Sequence, residues 1–205
     1  MSKATKLPPD GYTQTGGINL KTQKSLAVWM NVAAFLVLIP VILLLIGFLR
    51  AVHPGDADSS VNFALNFHSL MQFLLFVLAV IVMLLLHEAI HGVGFLLATG
   101  EQPKYGLSLS YAYAAAPAWY IPADIYFWIG IAPLLVIDTV GLLLIWLLPA
   151  SAAWLATVVV ALNTAGAVGD VYILCRLLRS GKDTLVNDSG DQVLFYTLNN
   201  SASGG

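Results

Sequence analysis

Two histidines and a glutamate stand at a spacing that suits metal-dependent hydrolysis. The segment reads His87-Glu88-Ala89-Ile90-His91. On a helix, His87 and His91 lie on one face, about one turn apart. Two imidazoles so placed can bind one zinc ion, and Glu88 can then act as general base on a zinc-bound water. The motif therefore predicts a zinc-dependent hydrolase with one Zn²⁺ per chain.

The same residues also admit a purely structural interpretation, in which two buried histidines satisfy hydrogen bonds and Glu88 is their acceptor. The surrounding sequence argues against it. The motif lies inside a long apolar run, where ionisable groups are expensive and usually functional. An unpaired Glu88 carboxylate in hydrocarbon would be costly, and a bound cation would relieve that cost.

A catalytic zinc site needs a third protein ligand and an open position for water. Asp170 is the favoured candidate, because its predicted depth in a membrane-spanning helix matches that of the two histidines. Asp138 is the alternative, although its depth of roughly 20 Å is greater. Asn163 lies two turns before Asp170 and shares its helix face. Gly166 and Gly169 lack side chains, which lets this segment approach a neighbouring helix closely.

The elements that must position these residues are membrane-spanning. Hydrophobic residues make up 59% of the 205 residues, and Asp, Glu, Lys and Arg only 10%. Soluble domains carry about 25% charged residues. The composition therefore argues against a soluble enzyme, a disordered protein and a nucleic-acid binder, which needs a basic face. It predicts an integral membrane protein whose surroundings are a lipid bilayer.

Hydropathy predicts an all-α membrane protein with four transmembrane helices. Apolar runs of about 20 residues suffice to cross the bilayer core, and they occur at about 25–49, 69–98, 125–148 and 152–178. The segment 99–124 alternates apolar and polar residues in its first half, which indicates an interfacial connector or a short β-hairpin. The expected organisation is a cytosolic segment over 1–24, a transmembrane domain over 25–183 and a cytosolic tail over 184–205.

The basic residues give the expected orientation. With four spans, eight of the nine Lys and Arg residues fall on one side, and only Arg50 falls on the other. Cytoplasmic loops carry the excess of basic residues in membrane proteins. Both termini are therefore expected in the cytosol.

The two motifs together resemble a known family. His-Glu-x-x-His within one span, followed two spans later by Asn-x-x-Gly-x-x-x-Asp at 163–170, is similar to small bacterial membrane proteins of the putative zincin peptidase family. The resemblance extends to the N-terminal LPPDGY and to the IAP at 131–133, and so covers most of the chain. More remotely, the chain resembles the site-2 protease class of intramembrane metalloproteases. It departs from that class at Gly166, where Pro is usual, and at Val171, where Gly is usual.

The resemblance implies an intramembrane zinc metalloprotease in the bacterial cytoplasmic membrane. His87, His91 and Asp170 match the metal ligands. Glu88 matches the general base, and Asn163 matches the Asn of the second motif. The amide of Asn163 is further expected to help stabilise the oxyanion of the transition state.

The expected partner is a membrane protein or peptide substrate, which residues 105–113 could bind by strand addition. The sequence leaves the oligomeric state open.

Two other functions also stay open. One is a catalytically silent metal-binding membrane scaffold, which would not need Glu88. The other is a small transporter or proton relay, in which Asp138 would matter as much as Asp170.

Overall fold

The computed structural model describes residues 3–56, 70–107, 111–181 and 183–198. Within these residues, four helical segments are long and apolar enough to cross a membrane: Lys24–Val52, Leu70–Thr99, Ala123–Leu147 and Ala150–Ser180. Each coincides with one of the four predicted spans. The all-α membrane fold class with four transmembrane helices is confirmed. The first three segments are helices α1, α2 and α3 in the order given.

The fourth span differs from the single helix expected, because it consists of α4 (Ala150–Gly166) and α5 (Val168–Ser180). Helix α4 begins after Pro149, whose fixed φ suits the start of a helix. The break falls at Ala167, in a stretch where glycine lowers the helix propensity. Helix α5 is amphipathic, and it carries Asp170 in its first turn.

Six strands accompany the helices: β1 (Tyr12–Asn19), β2 (Lys104–Leu107), β3 (Ala112–Ala115), β4 (Ile121–Pro122), β5 (Leu185–Asp188) and β6 (Gln192–Leu198). Strands β2 and β3 pair antiparallel, in agreement with the short β-hairpin, one of the two alternatives for the segment 99–124. The other four form one antiparallel sheet in the order β1-β6-β5-β4. The two polar ends of the chain therefore pair with each other as neighbouring strands.

One compact unit comprises Met1–Trp29, Glu88–Ala132 and Gly169–Gly205. It contains the four-stranded sheet and the β2–β3 hairpin. Its core is formed by apolar side chains of strands and helices, each less than a tenth exposed, among them Ile18, Phe95, Ile129, Leu174 and Phe195. Burial of each such large side chain stabilises the fold by about 1.5–3 kcal/mol.

The other unit comprises Met30–His87 and Pro133–Val168. Its core is formed by Leu45, Leu49, Ile145, Ala153, Ala156, Val160 and Ala161. Small residues dominate the α4 side of this core. A methyl group at Gly141 would overlap the side chain of Val160. Small residues at such positions let apolar helices pack closely.

Candidate metal centre

Helix α2 supplies the two histidines of the motif. The helix runs without interruption from Leu70 to Thr99, so His87 and His91 are one turn apart on the same face. Both are buried, with 9% and 8% of their surface exposed. Glu88 follows His87 directly and is half-buried. The local geometry predicted from the spacing is thus present in α2.

Asp170 is brought to this pair by the first turn of α5. Its Oδ1 lies 3.5 Å from Nε2 of His91. A carboxylate in the first turn of a helix is stabilised by the helix dipole. The break at Ala167 therefore places Asp170 at a new helix N-terminus rather than in the middle of a long helix.

One ligand atom from each of His87, His91 and Asp170 lies within 4.8 Å of the other two. Two imidazole nitrogens and one carboxylate oxygen are a usual ligand set for catalytic zinc. With metal–ligand distances of about 2.0–2.2 Å, tetrahedral ligand atoms are about 3.4 Å apart. The 3.5 Å between His91 and Asp170 fits that spacing. The residues present therefore fit a zinc ion.

Hydrogen bonds to the Nδ1 atoms set the protonation of both rings. His91 Nδ1 lies 2.9 Å from the carbonyl oxygen of Ile129, and His87 Nδ1 lies 2.9 Å from Oδ1 of Asn163. A carbonyl oxygen only accepts hydrogen bonds, so each Nδ1 carries a hydrogen and donates it. In the neutral rings, the Nε2 lone pairs remain for a metal. Such partners of the second nitrogen orient metal-binding histidines in general.

Asn163, the Asn of the second motif, forms hydrogen bonds at both ends of its side-chain amide. The residue is fully buried. Its Oδ1 accepts from His87, while its Nδ2 donates to Asp138 Oδ1 at 2.9 Å and to the Pro133 carbonyl at 3.4 Å. Both ends of the amide are thus engaged, and its Oδ1 holds the His87 ring; a role at the oxyanion stays a prediction.

Asp138, the alternative ligand, is hydrogen-bonded to the Asn163 amide. Its Oδ1 accepts from Asn163 and its Oδ2 accepts from the Thr164 hydroxyl at 2.7 Å. Among the described residues, it is not in the group that could hold a metal. The result is a chain of hydrogen bonds from Asp138 through Asn163 to His87.

Among the described residues, the other histidine is His53, which is not in this group. Nε2 of His53 is hydrogen-bonded to the carbonyl oxygen of Ile145 at 2.8 Å. His68 lies outside the described residues.

A small cavity adjoins the cluster. Its volume is about 80 Å³, and both His91 and Asp170 line it. Tyr126 and Asp188 line it as well, and the Tyr126 hydroxyl donates to Asp188 Oδ2 at 2.5 Å. Burial raises the pKa of the Asp188 carboxyl above its ordinary value, although the bond from Tyr126 opposes the shift. Neither residue carries a local sequence signal, because Asp188 lies in the segment after the last span and Tyr126 lies among other aromatic residues.

The β2–β3 hairpin is attached close to the histidine motif. The phenol of Tyr105 in β2 packs on Gly92, the residue after His91, so that a methyl group at Gly92 would overlap it. Strand β2 is largely exposed. The hairpin therefore brings an accessible strand into the vicinity of the candidate metal ligands.

Comparison with known proteins identifies one family. A family model with the description "Putative zincin peptidase" matches residues 80–185. The matched region contains both sequence motifs, from His87 to Asp170. No curated protein and no solved structure matches the chain.

Proposed function

Since the chain belongs to the putative zincin peptidase family, we propose that it is a zinc-dependent intramembrane metallopeptidase. The observation that carries this proposal is the convergence of His87, His91 and Asp170, with Glu88 beside them in α2. Its proposed reaction is hydrolysis of a peptide bond in or near a membrane-embedded substrate. Four apolar helices are compatible with a membrane protein.

His87, His91 and Asp170 would hold the metal. When bound, zinc supplies Lewis acidity, which polarises the scissile carbonyl and acidifies water. Glu88 accepts the proton of the attacking water and returns it to the leaving amine. The backbone carbonyl of Ile129 and the amide of Asn163 keep the two imidazole rings in the tautomer that binds metal.

The substrate would be a membrane protein or peptide that is locally unwound, because a helix hides its carbonyl groups in hydrogen bonds. The exposed strand β2 supports binding of an extended segment by strand addition. Tyr105, packed on Gly92, links that strand to the histidine motif. The proposed location is the bacterial cytoplasmic membrane with both termini in the cytosol, which places the excess of basic residues on the cytosolic side.

The direct test is cleavage of a degenerate peptide library by the purified, zinc-loaded protein. Glu88→Gln should retain zinc and lose hydrolysis by a factor of at least about 100, within the range for a general base. Glu101→Gln is the matched control, since Glu101 is exposed and bonds Lys6 and Trp119. That control should cleave as the wild type does.

Full activity of Glu88→Gln would reject Glu88 as the base. Zinc binding without any cleavage by the wild type would favour the silent scaffold. Movement of ions across vesicles that depends equally on Asp138 and Asp170 would favour the transporter. The hydrogen bonds of Asp138 to Asn163 and Thr164 instead support a structural role for its carboxylate.

A further inference from the structure

The cavity beside the metal ligands lies within a single compact unit of the chain. His91 and Asp170 form one end of it. Tyr126 and Asp188 also line it, and Ala114 of strand β3 forms part of its wall. A group that enters the cavity therefore lies next to two candidate metal ligands and beside the hairpin.

The volume limits what the cavity can accept. A cavity of about 150 Å³ with Leu, Ile and Phe walls accommodates benzene, which has six heavy atoms. At about 80 Å³, this cavity accommodates about three or four heavy atoms on the same scale. Its side walls include Phe95, Ile129 and Leu174, each at most 5% exposed. Long side chains such as lysine and arginine exceed this space.

Asp188 gives the cavity a polar lining group. Its Oδ2 accepts from the Tyr126 hydroxyl at 2.5 Å, and its Oδ1 accepts from the Gly190 N–H at 2.8 Å. A carboxylate has about four lone-pair sites, so these two bonds leave acceptor capacity at both oxygens. Asp188 is only 7% exposed. A buried acceptor of this kind is stabilised by a donor that enters the cavity with a substrate.

We propose that this cavity is a substrate side-chain subsite next to the scissile bond, and that it selects serine or threonine. Their side chains have two and three heavy atoms and one hydroxyl donor, which match the volume of the cavity and Asp188. The proposal rests on the proposed peptidase function. The position of strand β3 supports this proposal. A substrate segment that lies extended along the hairpin directs alternate side chains to one face, and Ala114 of β3 lines the cavity.

The experiment is cleavage of a degenerate peptide library by the zinc-loaded full-length protein, followed by sequencing of the products by mass spectrometry. Wild type should show Ser and Thr at one position next to the cleaved bond. Peptides with Thr there should exceed isosteric Val peptides in kcat/KM by about 10- to 100-fold, as expected for a bond to a charged group. Glu88→Gln sets the background.

Two variants test the cavity itself. Ala114→Val adds two heavy atoms to the wall and should shift the preference to Gly and Ala. Asp188→Leu removes the acceptor and should reduce the Thr/Val ratio to less than about 3-fold. Asp188→Asn retains a carbonyl acceptor and should restore part of that ratio. If Asp188→Leu does not fold, Ala114→Val still decides the matter, because it leaves the hydrogen bonds of Asp188 in place.

The outcomes separate the two proposals. Glu88-dependent cleavage without a Ser/Thr preference, or with the same preference in Ala114→Val, would overturn the subsite and leave the peptidase intact. Wild-type protein that cleaves no better than Glu88→Gln would overturn the peptidase, and the subsite with it. A Ser/Thr preference that moves to Gly and Ala in Ala114→Val would support the subsite.

Discussion

Replacement of Asn163 by leucine should weaken zinc binding, although Asn163 is not among the candidate metal ligands. In the wild type, its Oδ1 accepts the Nδ1–H of His87 at 2.9 Å. Leucine has a similar size and cannot accept this bond. Because position 163 is fully buried, water cannot replace the lost partner, and the His87 ring is free to adopt other tautomers and orientations.

The magnitude follows from the buried donor that is left behind. An unsatisfied buried donor costs about 1–3 kcal/mol, and each 1.4 kcal/mol is a factor of about ten in an equilibrium constant. The expected increase in the Kd for zinc is therefore about 5- to 150-fold. This range agrees with the roughly 10- to 100-fold found when partners of metal-binding histidines are removed.

The assay is competition between the detergent-purified protein and a chromogenic zinc chelator near neutral pH. Thr164→Val is the matched control, because Thr164 lies on the same helix and bonds Asp138 but not His87. The control should change the Kd by less than about 3-fold, or about 0.6 kcal/mol, because it leaves the bond between Asn163 and His87 in place. A folded Asn163→Leu protein with the wild-type Kd would refute the positioning role of Asn163.

Three further predictions follow from contacts near the site. Gly92→Ala should displace the Tyr105 phenol and lower cleavage by up to about 100-fold, with unchanged zinc content. The control Gly47→Ala, whose added methyl group meets no neighbouring atom, should change neither cleavage nor zinc content. Equal cleavage by the two variants would contradict this prediction. The Tm of Asp188→Asn minus that of the wild type should increase as the pH rises from about 4. The reason is that burial raises the pKa of Asp188, so the folded wild type is destabilised as the pH rises from the ordinary pKa of the carboxyl to its pKa in the folded state. The asparagine side chain does not titrate, and parallel pH profiles of the two proteins would contradict this reasoning. Asp138→Asn should retain zinc at saturating concentration in metal analysis, and stoichiometric loss of zinc would instead make Asp138 a ligand.

The spans and the hairpin could be predicted because their signals are local. Twenty apolar residues in a row suffice to indicate a span, and alternation with turn residues suffices to indicate a short hairpin. The shared face of His87 and His91 follows from helix geometry alone. Asp170 could be favoured over Asp138 from depth, because both sit in spans whose ends are visible in the sequence.

The sheet between the chain ends could not be predicted in the same way. Strand β1 pairs with β6, so that Tyr12 is opposite Leu198, and no local pattern identifies partners so far apart in sequence. Short strands give weak periodicity, and their pairing depends on tertiary contacts.

The polar pairs around the site were equally hidden. The predicted depth of Asp138 in its span does not reveal its neighbours. In the structure, Asn163 lies between Asp138 and His87 and bonds both. Tyr126 and Asp188 are 62 residues apart and meet only through the fold. A residue type alone does not identify which hydrogen bonds a buried polar group makes.

The central claim, a zinc site formed by α2 and α5, is tested most directly by the metal content of the detergent-purified protein. Wild type should contain about one zinc ion per chain, as catalytic sites of this ligand set do. His91→Ala and Asp170→Ala should lose it, while Asp138→Ala should retain it when zinc is supplied in excess. Wild-type protein without metal after zinc is supplied, or Asp170→Ala protein that binds zinc as the wild type does, would contradict the account.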